Sequence, residues 1–191
     1  MNMTRKKMFF WIICLVLADQ VIKLIIANFF IDTKFYLIEP ILGFRPVFNA
    51  QYSYFNSILK LNLGLLPHAI LLIFAQIIIL LCYRYYRFLQ HSSKSLIDIS
   101  FIFGQSALIC VFCGFFFWKA GILDFIYLYF WTVDLKDIYI NVFAILFFFN
   151  YYNNRKEFKK PSVKMKEYLL NNWKEFKQYR NNPEKKGQPE N

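Results

Sequence analysis

The sequence predicts a mainly α-helical integral membrane fold: a bundle of four transmembrane helices with a small β platform on its outer face. Three observations predict it. The chain is 58% hydrophobic, with 24 Phe and 13 Tyr among 191 residues, and the apolar residues fall in long blocks instead of alternating with charge. Lys and Arg are divided unequally between the ends of those blocks. Between the first two blocks lies a segment rich in β-formers and broken by Pro and Gly.

The blocks span roughly 8–28, 65–83, 96–117 and 135–152. A hydrocarbon core of about 30 Å needs ~20 residues at about 1.5 Å of rise each, so all four are long enough or nearly so. The first follows a basic "RKK", as a cleaved leader would. Yet Ile12 and Ile13 precede Cys14 where small residues belong, and the apolar run continues past Asp19 to about residue 30, which predicts a retained helix. In the second block Pro67 suits a first helical turn. The third sets Ser100, Gly104, Ala107 and Gly114 on one small face, where a neighbouring helix can approach closely. The fourth gains length by starting near Asp134.

Arg5, Lys6, Lys7, the loop carrying Arg84, Arg87 and Lys94, and the tail together hold 17 cations. The segments 29–64 and 118–134 hold four: Lys34, Arg45, Lys60 and Lys119. Positive charge stays inside, so both termini are expected on the cytoplasmic side of a bacterial plasma membrane. The outer segment "FYLIEPILGFRPVFNAQYSYF" predicts short strands. The run "FIYLYFW" at 125–131 suits an interfacial aromatic belt, as a strand or a half-buried turn.

The domain reading is a membrane domain over 1–154 and a basic cytoplasmic tail over 155–191. Eleven of the 23 Lys and Arg lie after residue 154, against five Glu. Within the tail, Met165, Tyr168, Leu169, Trp173, Phe176 and Tyr179 recur at helical spacing, which predicts an amphipathic helix over about 163–180 on an anionic leaflet. Beside membrane spans, lipid is a better partner for this charge than nucleic acid. The final "NNPEKKGQPEN" is expected to be disordered.

Most catalytic chemistries lack their reagents here. Cys14, Cys82, Cys110 and Cys113 lie inside apolar blocks and read as small hydrophobes; Cys110 and Cys113 have no second pair to complete a zinc site. His68 and His91 stand near opposite ends of one helix. No nucleophile elbow or phosphate loop is present, and no metal or cofactor is expected. Carboxylates remain. Asp19 and Lys23 share a helix face, either as an internal ion pair or as part of a site. Asp134 reads as the N-cap of the fourth helix and Asp137 as a first-turn charge. Asp124, in "GILDFI", has no need to cap and no adjacent cation. Two such carboxylates in a desolvated place share a proton; one can then activate water while the other serves the leaving group.

Several stretches resemble signal peptidase II, the lipoprotein signal peptidase family. "LADQVIKLII" is similar to its first-helix D-Q-x-x-K element, and "PVFNAQYSYFNSIL" stands where its Asn-containing outer strand lies. "GILDFI" resembles G-x-x-D-F-I, and "DLKD" occupies the place of F-N-x-A-D. The resemblance covers roughly residues 8–150. It implies a two-aspartate, metal-free endopeptidase. Such an enzyme cuts a signal peptide before a diacylglyceryl-modified cysteine, so its partners would be lipidated prolipoproteins. Carried over by motif, Asp124 and Asp137 are the catalytic pair; Asp19, Lys23 and Asn49 support the site or face substrate. The departures are specific. The third helix reads "ICVFCGFFFW" where members carry G-N-x-x-D-R, and Asp134 replaces Asn in the last motif. That vacancy favours the alternative, a non-catalytic binding or assembly protein of the same fold. A small transporter using Asp19 and Lys23 is the third reading; it has only Asp98 to continue its path.

Overall fold

The computed structural model describes residues 3–52, 56, 59–89, 95–155, 166–171, 173 and 174. Helix α1 covers Arg5–Ile25, capped by the Thr4 hydroxyl, and continues as a π-helical segment over Ile26–Phe30. Strands β1 (Phe35–Ile38) and β2 (Leu42–Asn49) follow. Helices α2 (Leu65–Leu89) and α3 (Ser95–Phe117) come next, then β3 (Ile122–Leu128), β4 (Trp131–Val133) and α4 (Leu135–Asn154). The chain is thus a mainly helical, multi-span membrane protein with a small open sheet. Among the described residues, three helical stretches, Arg5–Phe30, Leu65–Phe88 and Ser95–Phe117, are long and apolar enough to cross a bilayer. Their outward faces carry the large apolar side chains that lipid requires: Phe9, Leu66, Leu71, Ile73 and Phe74 are all more than half exposed.

Helix α3 is the hub, packing on α1, α2 and α4. Its small face works as the spacing predicts. Ser100, Gly104, Ala107 and Gly114 are all buried, and a Cβ on Gly104 would come 2.9 Å from the Phe143 ring of α4. The Ser100 hydroxyl donates to the Phe143 carbonyl at 3.2 Å, and Gln76 of α2 donates to Gln105 of α3 at 2.9 Å. Such contacts replace the hydrophobic drive that lipid cannot give. The four cysteines are free thiols, with Cys110 fully enclosed.

The sheet sits over one end of the helices, in the order β1-β2-β3-β4 with antiparallel neighbours. The aromatic run at 125–131 resolves into the end of β3, a turn at Tyr129 and the start of β4. Beneath the sheet, Leu123 and Phe125 of β3 pack with Ile26, so the end of α1 carries the platform.

At the opposite end, Asp98 is fully buried. It accepts from the Met3 amide at 3.2 Å and the Tyr83 hydroxyl at 3.0 Å, and pairs with Arg87 at 3.2 Å. It is a structural lock on the start of α1 and the end of α2. In the tail, the described residues are helical, and Tyr168 packs on Tyr85 and Phe88 of α2, with ring centroids 5.6 and 5.4 Å apart. The rest of the helix expected over 163–180, the disordered end expected over 181–191, and His91 lie outside the described residues.

Candidate active site

The site lies where β2, β3 and the start of α4 meet above α1. Asp134 begins α4 in a capping box: its Oδ1 accepts from the Asp137 amide at 3.3 Å, and its own amide donates to Asp137 Oδ2 at 3.1 Å. One local motif therefore fixes both carboxylates. Asp124 projects from β3 opposite Val47, and Asn49, at the end of β2, donates to Asp124 Oδ2 at 3.4 Å. Gly121 makes this approach possible. Its φ of +109° is a glycine conformation, and a Cβ there would lie 2.6 Å from the Asn49 backbone.

Three carboxylates converge as a result. Oxygens of Asp124, Asp134 and Asp137 lie within 4.8 Å of one another. A cation could sit among them, and the chain supplies one. Lys136 Nζ is 2.8 Å from Asp134, 3.2 Å from Asp137 and 3.3 Å from Asp124. Reasoning from the sequence misses this residue. It stands between the two aspartates of "DLKD", one position from Asp137, and nothing in the spacing marks it. The expectation that Asp124 has no adjacent cation holds along the chain and fails in space: the turn of α4 brings Lys136 back across to β3.

Asp19 and Lys23 are fully enclosed and form an ion pair at 2.9 Å; Lys23 also pairs with Asp134. The internal ion pair expected of these residues is present, and its extension to Asp134 joins α1 to the start of α4. Gln20 donates to Asp19 at 2.8 Å and accepts from the Trp118 indole at 3.1 Å, extending the network under the sheet.

Exposure separates the carboxylates. The Asp124 side chain is 8% exposed and that of Asp137 33%. Burial pushes Asp124 up to about 6; Lys136 opposes the rise, and Asp134 and Asp137 add to it. Asp134, also buried, is nevertheless held below the usual carboxylate range, because Lys136 and Lys23 together outweigh the cost of its burial.

Fold and site together define a class: a multi-span membrane protein with a carboxylate cluster where a small sheet meets one end of its helices. The profile of the signal peptidase (SPase) II family, peptidase A8, matches residues 11–153, and the chain belongs to that family of aspartic-type peptidases. Among solved structures, it is similar to a bacterial membrane enzyme determined in meso at 1.9 Å resolution. The TM-score is 0.55 at 16% identity, over 78% of this chain and 94% of that one. A second bacterial membrane enzyme, determined in meso at 2.3 Å, gives a TM-score of 0.46 at 16% identity over 83% and 95% of the two chains. No curated protein matches the sequence.

Proposed function

We propose that the protein is a lipoprotein signal peptidase, an aspartic endopeptidase that cuts a signal peptide just before a lipid-modified cysteine at the outer face of the bacterial plasma membrane. The observation that carries this reading is the approach of the Asp124 and Asp137 carboxylates, from β3 and α4, to within 4.8 Å at the sheet end of the helices. Asp124 and Asp137 are the catalytic pair, and Asp19, Lys23, Asn49 and Asp134 support them. Asp124, the more enclosed of the two, is the better seat for the proton. Asp137, the more exposed, takes the water. The charged carboxylate removes a proton from water as its oxygen attacks the scissile carbonyl; the protonated one donates to the departing amine.

The setting suits such a substrate. Lipid chains of a diacylglyceryl-modified precursor would lie along the exposed apolar helix faces, with the peptide meeting the pair under the aromatic strands. The distribution of Lys and Arg orients the sheet outward and both termini inward, and α4 then makes the fourth crossing. The tail's Leu169, Leu170 and Trp173, exposed on the described part of its helix, would contact the anionic inner leaflet. A co-expressed lipoprotein precursor tests the reading. Processing is expected with the native chain and is expected to stop with Asp137→Asn at unchanged membrane levels. Continued processing in that variant would remove Asp137 from the mechanism.

The ammonium between the carboxylates favours a second reading, in which the pair is locked and the protein binds lipidated precursors without cutting them. It predicts precursor retention and no cleavage in any variant.

A further inference from the structure

We propose that Lys136 is a positioning residue for the Asp124–Asp137 pair. Its ammonium, anchored by Asp134, supplies the positive charge that lets the two carboxylates stand together and so sets the pH at which the pair takes up its proton. The inference rests on that pair being the working pair of the site, though not on turnover.

The support is geometric. Lys136 is almost fully buried, and its Nζ reaches Asp134 at 2.8 Å, Asp137 at 3.2 Å and Asp124 at 3.3 Å. Two carboxylates this close in a desolvated place repel strongly enough to hold one proton, and a cation between them cancels that repulsion. The neighbouring charges leave Lys136 alone in the role. From α1, Lys23 is committed to Asp19 and Asp134. From β2, Asn49 is neutral. From α3, Cys110 is buried on the far side beside Asp19, and on α4 the Tyr139 hydroxyl donates to the Leu15 carbonyl. Among the described residues, Lys136 is the cation paired with both Asp124 and Asp137. Asp134 explains why it stays. With Oδ1 on Lys136 and Oδ2 on Lys23, this carboxylate ties the ammonium to the floor of the site. Four carboxylates thus face two ammonium groups, and loss of Lys136 leaves one.

The test is a direct titration of the carboxyl groups, independent of activity. The full chain is reconstituted in nanodiscs, and the infrared band of protonated carboxyl is followed from pH 4 to 9, with Asp124→Asn and Asp137→Asn to assign it. The native protein is expected to gain the band with a midpoint near 6. Lys136→Met is expected to move the midpoint up by at least about one unit, a tenfold gain in proton affinity, and Lys136→Arg to stay within about half a unit of native. A residue that merely packs would leave the midpoint in place, and an unmoved midpoint in Lys136→Met overturns the proposal. Should that variant not fold, the double change Asp134→Asn with Lys136→Ala, which removes one charge of each sign, takes its place. A smaller upward move is expected, because Asp134 itself raises the affinity, and no move again overturns the proposal. Cleavage measured on the same samples keeps the two ideas apart: an inactive native chain with the predicted infrared shift would end the peptidase reading and leave Lys136 its role.

Discussion

The ammonium of Lys23 in α1 is ion-paired with the carboxylate of Asp134, the residue that starts α4, and both side chains are fully enclosed. Elements more than 100 residues apart are thereby joined beneath the site. Removing one member of a buried pair strands the other charge, at a cost of about 3–5 kcal/mol. Lys23→Met is therefore expected to lower stability by that order, with Lys23→Arg losing less. Thermal unfolding in detergent measures it; a loss under about 1 kcal/mol would mean that the network holds without Lys23.

Asp124 gives stability a pH dependence whose sign follows from its environment. Its folded-state value of about 6 lies above the ordinary 3.8, so between those limits the folded chain binds more protons than the unfolded one. Stability from this group is thus fully present below about pH 4 and is lost as pH rises toward 6, by on the order of 3 kcal/mol. Asp124→Asn removes the penalty. It should melt at a higher temperature than the native protein at pH 8, and the gap should close as pH falls toward 4. A gap that widens on acidification would contradict the assignment.

Gly121 sets the distance between the strands that carry Asn49 and Asp124. Gly121→Ala forces a Cβ to 2.6 Å from backbone atoms at a φ of +109°. The expected cost is about 1–3 kcal/mol of strain, together with reduced cleavage as β3 shifts on β2. Gly64, around which a Cβ would meet nothing within 4 Å, provides the control. Melting and cleavage measured on both variants check this, and equal behaviour of the two would contradict it.

At the far end, Asp98→Ala removes the acceptor of the Met3 amide and the Tyr83 hydroxyl and the partner of Arg87. Arg87 is partly exposed and finds water, so the expected loss is about 2–3 kcal/mol rather than more. Because the lock lies far from the sheet, cleavage by the surviving folded protein should keep its pH profile. A shifted profile in Asp98→Ala would show coupling that the fold does not predict.

The parts of the fold that the bilayer dictates are written plainly in the sequence. A span must be long and apolar, so α1, α2 and α3 appear as blocks, and the small residues of α3 announce close packing. The strands over 35–49 show through their β-formers and the breaks around them. Of the site, Asp134 is legible as a cap from its place before an apolar run, and Asp124 and Asp137 stand out because other reagents are absent. Lys136 is not legible. Its role depends on the capping box turning its side chain toward β3 and on a sheet register that brings Asp124 to meet it, and neither can be read from spacing. The same holds for Lys23, whose second partner lies on another element.

Joint action of Asp124 and Asp137 on a lipidated precursor is the proposition on which the peptidase reading stands. Cleavage of a synthetic diacylglyceryl-cysteine signal peptide by the purified full chain, with product identified by mass, measures it directly. The expected result is a cut immediately before the modified cysteine by the native protein and none by Asp124→Asn or Asp137→Asn, each folded by its melting curve. Undiminished cleavage in either variant, or no cleavage by the native chain, would contradict it.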